Sequence, residues 1–182
     1  MALKPRTIAL HARLGYSVIV PHIIVIAHNI RSCHNVGSIF RTCEGFGVDK
    51  IILSGYTPYP THANDSRLPH LAEKLTKQIH KTALGAERLV PFEHVPQLDI
   101  DALKKDGYEI VALEQATDSI SLSTYKPPNK IALLIGEEVE GISAELLTKC
   151  DQTIEIPMRG QKESFNVSVA VGIALYELLR HD

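Results

Sequence analysis

Short runs of apolar, often β-branched residues recur along the chain, and stretches with a helical pattern separate them. The apolar runs cover residues 22–27, 50–55, 108–114, 130–136 and 152–157, and the helical stretches include residues 35–47 and 143–150. Strands that are apolar at nearly every position are buried on both faces, as in a parallel sheet covered by helices. The pattern therefore predicts an α/β fold: a mainly parallel sheet with helices on both faces.

In such a sheet, ligands bind at the loops that follow the carboxyl ends of the strands. The first of these loops runs into the sequence HNIRSCHNVGSIFRTCEGFGV, in which we expect Asn35 to be the N-cap of a helix. Arg41 stands two turns further on among apolar residues, so we expect it close to the sheet. Because a buried guanidinium is costly, Arg41 should meet a carboxylate or a phosphate.

The loop after the fourth apolar run reads GEEVEGIS, from Gly136 to Ser143. Gly136 and Gly141 allow a tight turn and a close approach of the backbone to a ligand. Glu138 offers an acceptor, and Ser143 is the expected N-cap of the next helix. This loop is therefore a candidate binding segment.

The loop after the fifth run, IPMRGQKESFNVS, leads directly into an apolar final helix. Ser164, Asn166 and Ser168 stand at the start of that helix, where one polar side chain is enough for an N-cap. The additional polar groups indicate that something besides the helix end is held there.

Composition indicates one domain. A chain of 182 residues with 45% hydrophobic content can bury roughly 70% of its unfolded surface. We expect a single domain over residues 1–182, with residues 1–20 as the one candidate for an N-terminal extension. Residues 18–27, the longest apolar stretch, are too short to cross a bilayer, and the first 15 residues lack the features of a signal peptide. We therefore expect a cytoplasmic protein without a membrane segment.

Cysteine and histidine spacing favours no metal site. Cys33, Cys43 and Cys150 match neither a zinc-binding pattern nor a redox pair, so reduced, mostly buried thiols are expected. The chain also lacks GxGxxG, GxxxxGK[ST] and GxSxG sequences. Their absence argues against a dinucleotide-binding Rossmann protein, a P-loop NTPase and an α/β-hydrolase.

The net charge of −2 excludes a protein that coats nucleic acid through overall basicity, so anions must bind at local patches. Three basic groups are candidates, although each taken alone is more often a solvated surface. They are Lys4, Arg6 and Arg13; Lys74, Lys77, His80 and Lys81; and Arg159 with Lys162.

Taken together, the three loops resemble the ordered motifs of the SpoU (TrmH-like) family in the SPOUT superfamily of RNA methyltransferases, over residues 22–180. The first motif is matched by Asn35, Ser38, Arg41 and Thr42, and the second by Gly136, Glu138, Gly141, Ile142 and Ser143. The third is matched by Ile156, Pro157, Met158, Gly160, Ser164, Asn166, Val167, Ser168 and Ala170, with Phe165 in place of the usual Leu.

The resemblance implies methylation of a ribose 2′-hydroxyl in tRNA or rRNA with S-adenosyl-L-methionine as cofactor. It also implies a deep C-terminal trefoil knot and a homodimer. The implied catalytic residues are Arg41, Asn35, Glu138, Ser164 and Asn166. The implied cofactor contacts are Leu113, Glu114, Gln115, Gly136, Glu137, Gly141, Ile156, Met158, Ser164, Phe165 and Asn166. The expected RNA contacts are Arg31, Lys74, Lys77, Lys81 and Arg159.

Two other functions stay open at this point: a knotted RNA-binding protein that has lost catalysis, and a small-molecule-binding α/β protein of another superfamily. Individual residues also have structural alternatives. Arg41 can be half of a buried ion pair, Glu138 can stabilise a helix N-terminus, and Asn35 and Asn166 can be N-caps alone.

Overall fold

The structure is a computed structural model and describes residues 6–8 and 18–180. The strands are β1 (Arg6–Ile8), β2 (Val18–Val20), β3 (His22–His28), β4 (Lys50–Ser54), β5 (Phe92–Val95), β6 (Glu109–Leu113), β7 (Ile120–Ser121), β8 (Lys130–Ile135) and β9 (Gln152–Glu155). The α-helices are α1 (Cys33–Phe46), α2 (Pro69–Ala83), α3 (Ile100–Lys105), α4 (Ala144–Leu147) and α5 (Val167–Leu178). Two short 3₁₀ turns lie at Ala86–Arg88 and Leu122–Thr124.

Seven strands form one sheet in the order β5-β4-β3-β8-β6-β9-β7, and every pairing in it is parallel. All five predicted strands are present in it, which confirms the parallel sheet. The sequence pattern missed β5 and β7, which are short strands at the two edges of the sheet. It also missed β1 and β2, which pair with each other in a separate antiparallel sheet.

The pleat of the sheet divides the core into two layers. On one face, Val25 and Leu133 pack with α1, α2 and α5. On the other face, Ile26 and Leu134 pack with α3 and α4. Since neighbouring residues of a strand point to opposite faces, continuous apolar runs cover both layers. Helices on both faces are thus confirmed.

Helices α1 and α2 cross in close contact at Gly37, which lies in the first half of α1. A Cβ atom added to Gly37 would lie 2.2 Å from the backbone oxygen of Ile79 and 2.2 Å from Oγ1 of Thr82. The hydroxyl of Thr82 also donates a 2.8 Å hydrogen bond to the backbone oxygen of His34. The absence of a side chain at Gly37 therefore lets α2 lie against the start of α1.

Among the described residues, no helix combines the length and apolarity that crossing a membrane requires.

Gly37→Ala should lower the free energy of unfolding by roughly 1 to 3 kcal/mol, because the new methyl group forces two packed helices apart. Gly45→Ala in the same helix is the matched control. A Cβ at Gly45 meets nothing within 4 Å, so Ala should stabilise the protein by about 0.5 to 1 kcal/mol. Urea unfolding of both variants measures the two effects, and equal changes would contradict the proposed close contact.

Candidate active site

Four neighbouring strands end at the same edge of the sheet and place three motif loops side by side. The loop after β3 leads into α1, the loop after β8 leads into α4, and the loop after β9 leads into α5. The loop after β6 contributes a fourth wall. Residues far apart in the chain therefore meet at this carboxyl edge, as expected for a parallel sheet.

The carboxylate of Glu138 joins the loop after β8 to the start of α1. Its Oε2 accepts a hydrogen bond from the backbone N–H of Arg31 at 3.1 Å, and its Oε1 accepts one from the backbone N–H of Ser32 at 3.3 Å. The side-chain amide of Asn35 donates a third to Oε1 at 2.9 Å. Partial burial raises the pKa of Glu138, but these hydrogen bonds outweigh it and hold the pKa below its usual range.

Asn35 extends this connection to the third motif loop. Its Oδ1 accepts a 3.1 Å hydrogen bond from Nδ2 of Asn166. Oδ1 of Asn166 in turn accepts from the backbone N–H of Ser168 at 3.0 Å and from its hydroxyl at 2.7 Å. One chain of hydrogen bonds thus runs from Glu138 through Asn35 to the start of α5.

The expectation that Asn35 is an N-cap was wrong. Ser32 is the N-cap of α1, and its side chain accepts from the backbone N–H of Asn35 at 3.3 Å. The amide of Asn35 is free for its two contacts because Ser32 fills the capping role. By contrast, Asn166 is the N-cap of α5 and Ser143 the N-cap of α4, as predicted for Ser143.

Glu137 ties the same loop to the rim of the site. Its carboxylate forms an ion pair with Arg31, whose side chain is 58% exposed while that of Glu137 is 7% exposed. It also accepts from the backbone N–H of Glu140 at 2.6 Å. Backbone hydrogen bonds between Glu137 and Gly141 close the loop, with Gly141 at a φ of +69° against the side chain of Glu114.

A cavity of about 560 Å³ lies between the loops that follow β6, β8 and β9. It is lined by Leu113, Glu114, Gln115, Ile135, Gly136, Glu137, Glu138, Val139, Glu140, Gly141, Glu155, Ile156, Glu163, Ser164, Phe165, Asn166, Val167 and Ala170. The side chain of Gln115 donates a 2.6 Å hydrogen bond to the backbone oxygen of Glu163, which joins the loop after β6 to the loop before α5. The cavity is therefore lined by segments that are linked to one another.

The structure places every expected cofactor contact at this cavity except Met158. The sequence interpretation had not included the apolar residues Ile135, Val167 and Ala170, or the carboxylate of Glu155. Their positions in the chain offered a usable signal. Ile135 and Glu155 end strands β8 and β9, directly before motif residues, while Val167 and Ala170 belong to the third motif and lie in the first turn of α5.

Arg41 is exposed on α1, contrary to the expectation that it is buried near the sheet. The error came from its apolar neighbours: Ile39, Phe40 and Cys43 are buried on one side of the helix, while Arg41 points away from them. Its side chain forms no hydrogen bond or ion pair with any of the described residues. The structure therefore contradicts the buried ion pair, and Asn35 and Glu138 contact each other rather than Arg41.

The other expected RNA contacts lie outside the cavity. Lys74, Lys77 and Lys81 are exposed on α2, and Lys77 pairs with Glu73 at 3.0 Å. Arg159 is exposed in the loop after β9. Arg31 and His80 are less available for contacts with RNA phosphates. Arg31 pairs with Glu137, and His80 pairs at 2.8 Å with the buried carboxylate of Glu87.

Several further expectations concern the rest of the chain. Lys4 and Arg13 lie outside the described residues, as does the side chain of Arg6. Cys33, Cys43 and Cys150 are free thiols, with Cys43 buried and the other two partly buried. Within the described ranges, no group of three or more His, Cys, Asp or Glu side chains is arranged to hold a metal ion.

The family model for the SpoU rRNA methylase family matches residues 22–176. This chain belongs to the SpoU rRNA methylase family. The match spans β3 to α5 and so includes all three motif loops at the carboxyl edge of the sheet. It confirms the family resemblance deduced from those loops.

Curated SpoU relatives include RNA methyltransferases that are longer than this chain. RlmB of Coxiella burnetii (strain RSA 493 / Nine Mile phase I), a 23S rRNA (guanosine-2'-O-)-methyltransferase, is 33% identical over 162 residues. That alignment covers 88% of this chain and 59% of the relative. TARBP1 of Mus musculus, a tRNA (guanosine(18)-2'-O)-methyltransferase, is 30% identical over 169 residues, which cover 93% of this chain and 10% of the relative.

Solved structures share the SpoU fold. The A. aeolicus TrmH/SpoU tRNA modifying enzyme superposes with a TM-score of 0.69 at 29% identity, covering 86% of this chain and 73% of the other. The SpoU methyltransferase AviRb from Streptomyces viridochromogenes, in complex with the cofactor AdoMet, gives a TM-score of 0.70 at 25% identity. That superposition covers 89% of this chain and 58% of AviRb.

Glu138→Gln should lower the free energy of unfolding by roughly 1 to 3 kcal/mol at neutral pH, because an amide replaces a carboxylate that accepts three hydrogen bonds. A lowered pKa means that the stabilisation by Glu138 exists above the pKa of the unfolded glutamate and disappears as pH falls through the folded pKa. The difference from wild type should therefore shrink in acid.

Urea unfolding of Glu138→Gln at neutral and acidic pH tests this. Glu140→Gln is the control, since Glu140 is exposed and, within the described residues, its carboxylate accepts no hydrogen bond. A Glu138→Gln variant as stable as Glu140→Gln at pH 7 would contradict the role assigned to the carboxylate.

Proposed function

We propose that this protein transfers a methyl group from S-adenosyl-L-methionine to a ribose 2′-hydroxyl of tRNA or rRNA. The observation that carries the proposal is the meeting of the three SpoU motif loops at the carboxyl edge of the sheet. The second and third loops line the cavity, and the first is joined to them by the hydrogen bonds of Asn35 to Glu138 and Asn166. RlmB and TARBP1 are both 2′-O-methyltransferases, which supports the choice of the ribose hydroxyl.

The cavity suits the proposed cofactor in size and chemistry. Its volume of about 560 Å³ lies in the usual range for small-molecule sites. Leu113, Ile135 and Ile156 offer an apolar wall for a purine ring, while Glu114 and Glu155 place negative charge near a cationic ligand. The AdoMet bound to AviRb supports the same assignment for this member of the family.

The cofactor would supply an electrophilic sulfonium methyl group, so the protein must align the ribose hydroxyl and assist its deprotonation. Arg41 is charged at all physiological pH values and cannot act as an ordinary base. Its planar guanidinium can hold an RNA phosphate through two hydrogen bonds, and an oxygen of the phosphate in this pair would receive the proton. Asn35 and Glu138 would hold the motif loops in the positions that orient the ribose. Ser164 and Asn166 would make further contacts with the ribose.

The proposal includes a homodimer and the C-terminal trefoil knot of the family. Helix α5 buries Val171 and Leu175 but leaves Val169 50% and Tyr176 62% exposed, which favours an apolar contact with a second copy. The sheet order supports the knot, because β9 lies beyond β6 and α5 then returns to pack against α1.

RNA would reach the site along the surface of α1 and α2. Lys74, Lys77 and Lys81 lie on the exposed side of α2 and can contact phosphates, as can Arg159 beside the cavity. We place this activity in one domain formed by residues 1–182 and in the cytoplasm, where free thiols such as Cys43 stay reduced.

Wild-type protein should bind S-adenosylhomocysteine in calorimetry. It should also transfer a radiolabelled methyl group to RNA from cells that lack the gene. Mapping of ribose methylation in RNA with and without the gene then locates the modified nucleotide. Binding of S-adenosylhomocysteine without any transfer would indicate a protein that has lost catalysis, and no binding at millimolar ligand would refute the proposed activity.

Arg41→Ala and Arg41→Lys should both reduce single-turnover methyl transfer by at least about a hundredfold, because lysine lacks the planar fork that holds a phosphate bidentately. Melting temperature and S-adenosylhomocysteine affinity should stay at the wild-type values, since the side chain of Arg41 is exposed and forms no hydrogen bond or ion pair with the described residues. Arg88→Ala, at another exposed arginine, should transfer methyl groups normally. An Arg41→Lys enzyme with near-normal turnover would exclude this mechanism.

A further inference from the structure

Tyr56 presents an aromatic ring to solvent at the rim of the active site. Its side chain is 57% exposed, although Ser54 and Thr57 on either side of it are almost completely buried. In the part of the chain that the structure describes, no aromatic ring or cation stacks on it. Because large apolar rings are normally packed, an exposed and unpartnered ring beside a ligand cavity calls for a function.

The backbone that carries Tyr56 is held in place by a dense set of hydrogen bonds. The N–H of Tyr56 donates to Oδ1 of Asn29 at 3.2 Å, and the amide of Asn29 donates to Nε2 of His28 at 3.1 Å. Nδ1 of His28 then donates to the hydroxyl of the buried Ser54 at 2.9 Å. Since the N–H of Tyr56 fixes the orientation of the Asn29 amide, Nε2 of His28 must be an acceptor and the imidazole neutral.

Gly55 completes this support. Its φ of +67° is in the left-handed region, and a Cβ there would lie 1.9 Å from Oδ1 of Asn29. Its N–H donates to the backbone oxygen of Val95 at 3.1 Å, and its oxygen lies 3.1 Å from Nε2 of His94. The ring of Tyr56 is therefore carried on a rigid support, which lowers the entropy lost when a ligand stacks on it.

The charge around the ring of Tyr56 favours contact with an uncharged base over contact with a phosphate. The pKa of Tyr56 is raised, first because part of the phenol is withdrawn from water and then because Glu137 lies nearby, while Arg31 opposes the shift. Glu138 and Glu140 add to the increase. Three carboxylates and one guanidinium leave this rim negative, so it repels phosphates and admits an uncharged group more readily.

We propose that the ring of Tyr56 is a stacking surface for an unpaired nucleobase of the RNA at the rim of the cavity. The inference rests on the proposed function, which brings RNA to this site. Any base can stack on an aromatic ring, but the base must first be free of a duplex. Tyr56 therefore selects single-stranded or extruded nucleotides, while Arg41 and the lysines of α2 hold phosphates.

Fluorescence anisotropy with a labelled oligoadenylate of about twelve nucleotides tests this, alongside an abasic ribose-phosphate strand of equal length. Wild-type protein should prefer the oligoadenylate, and Tyr56→Ala should weaken its binding by about 5- to 150-fold and abolish the preference. Tyr56→Phe keeps the ring and should bind normally. Leu89→Ala, which removes another exposed side chain, is the control.

The salt dependence separates a base contact from a phosphate contact. Tyr56→Ala should keep the wild-type log–log slope, whereas replacement of Lys74, Lys77 and Lys81 by Ala should reduce it by about one unit per lost contact. Melting temperature and S-adenosylhomocysteine affinity should not change in Tyr56→Ala. The inference would be overturned by any of three results: wild type binds neither strand, wild type shows no preference for the oligoadenylate, or Tyr56→Ala binds with unchanged affinity. Failure of wild type to bind S-adenosylhomocysteine would instead refute the proposed function.

Discussion

The carboxylate of Glu138 is the contact on which the geometry of the site depends. Its oxygens accept from two consecutive backbone N–H groups at the start of α1 and from the side chain of Asn35, which in turn contacts the N-cap of α5. Secondary structure alone would leave these loops independent, because each belongs to a different strand. One ionised side chain and two amides instead link three motif loops, so movement of one displaces the others.

This linkage explains why the fold was more predictable than the site. The five central strands followed from apolar runs such as residues 22–27, whose burial on both faces depends only on local pattern. The short edge strand β5, with Glu93 and His94 among its four residues, lacks that pattern. Helix α2 was missed as an element because its buried face rests on a few spaced residues such as Ala72 and Ile79.

The sequence predicted which residues form the site better than it predicted the contacts that those residues make. Ser32 and Asn35 can both cap a helix, and the choice depended on Glu138, which lies 103 residues beyond Asn35. Similarly, the apolar neighbours of Arg41 indicated burial, whereas the helix turned the arginine to the opposite side. A sequence motif thus identifies which residues matter, while their partners depend on the tertiary arrangement of separate loops.

Charge at the carboxyl edge separates the regions that the two proposed ligands would occupy. Six glutamates line the cavity, and within the described residues no lysine or arginine lines it. A net positive small molecule is favoured there, while a polyanion is not. The exposed Arg41, Lys74, Lys77, Lys81 and Arg159 lie outside the cavity, on α1, on α2 and in the loop after β9. Phosphates would therefore stay beside these cations, and only an uncharged ribose or base would approach the carboxylates. Partial burial raises the pKa of Glu138, but the hydrogen bonds from Arg31, Asn35 and Ser32 hold it below its usual range, so this carboxylate at the boundary is ionised at neutral pH.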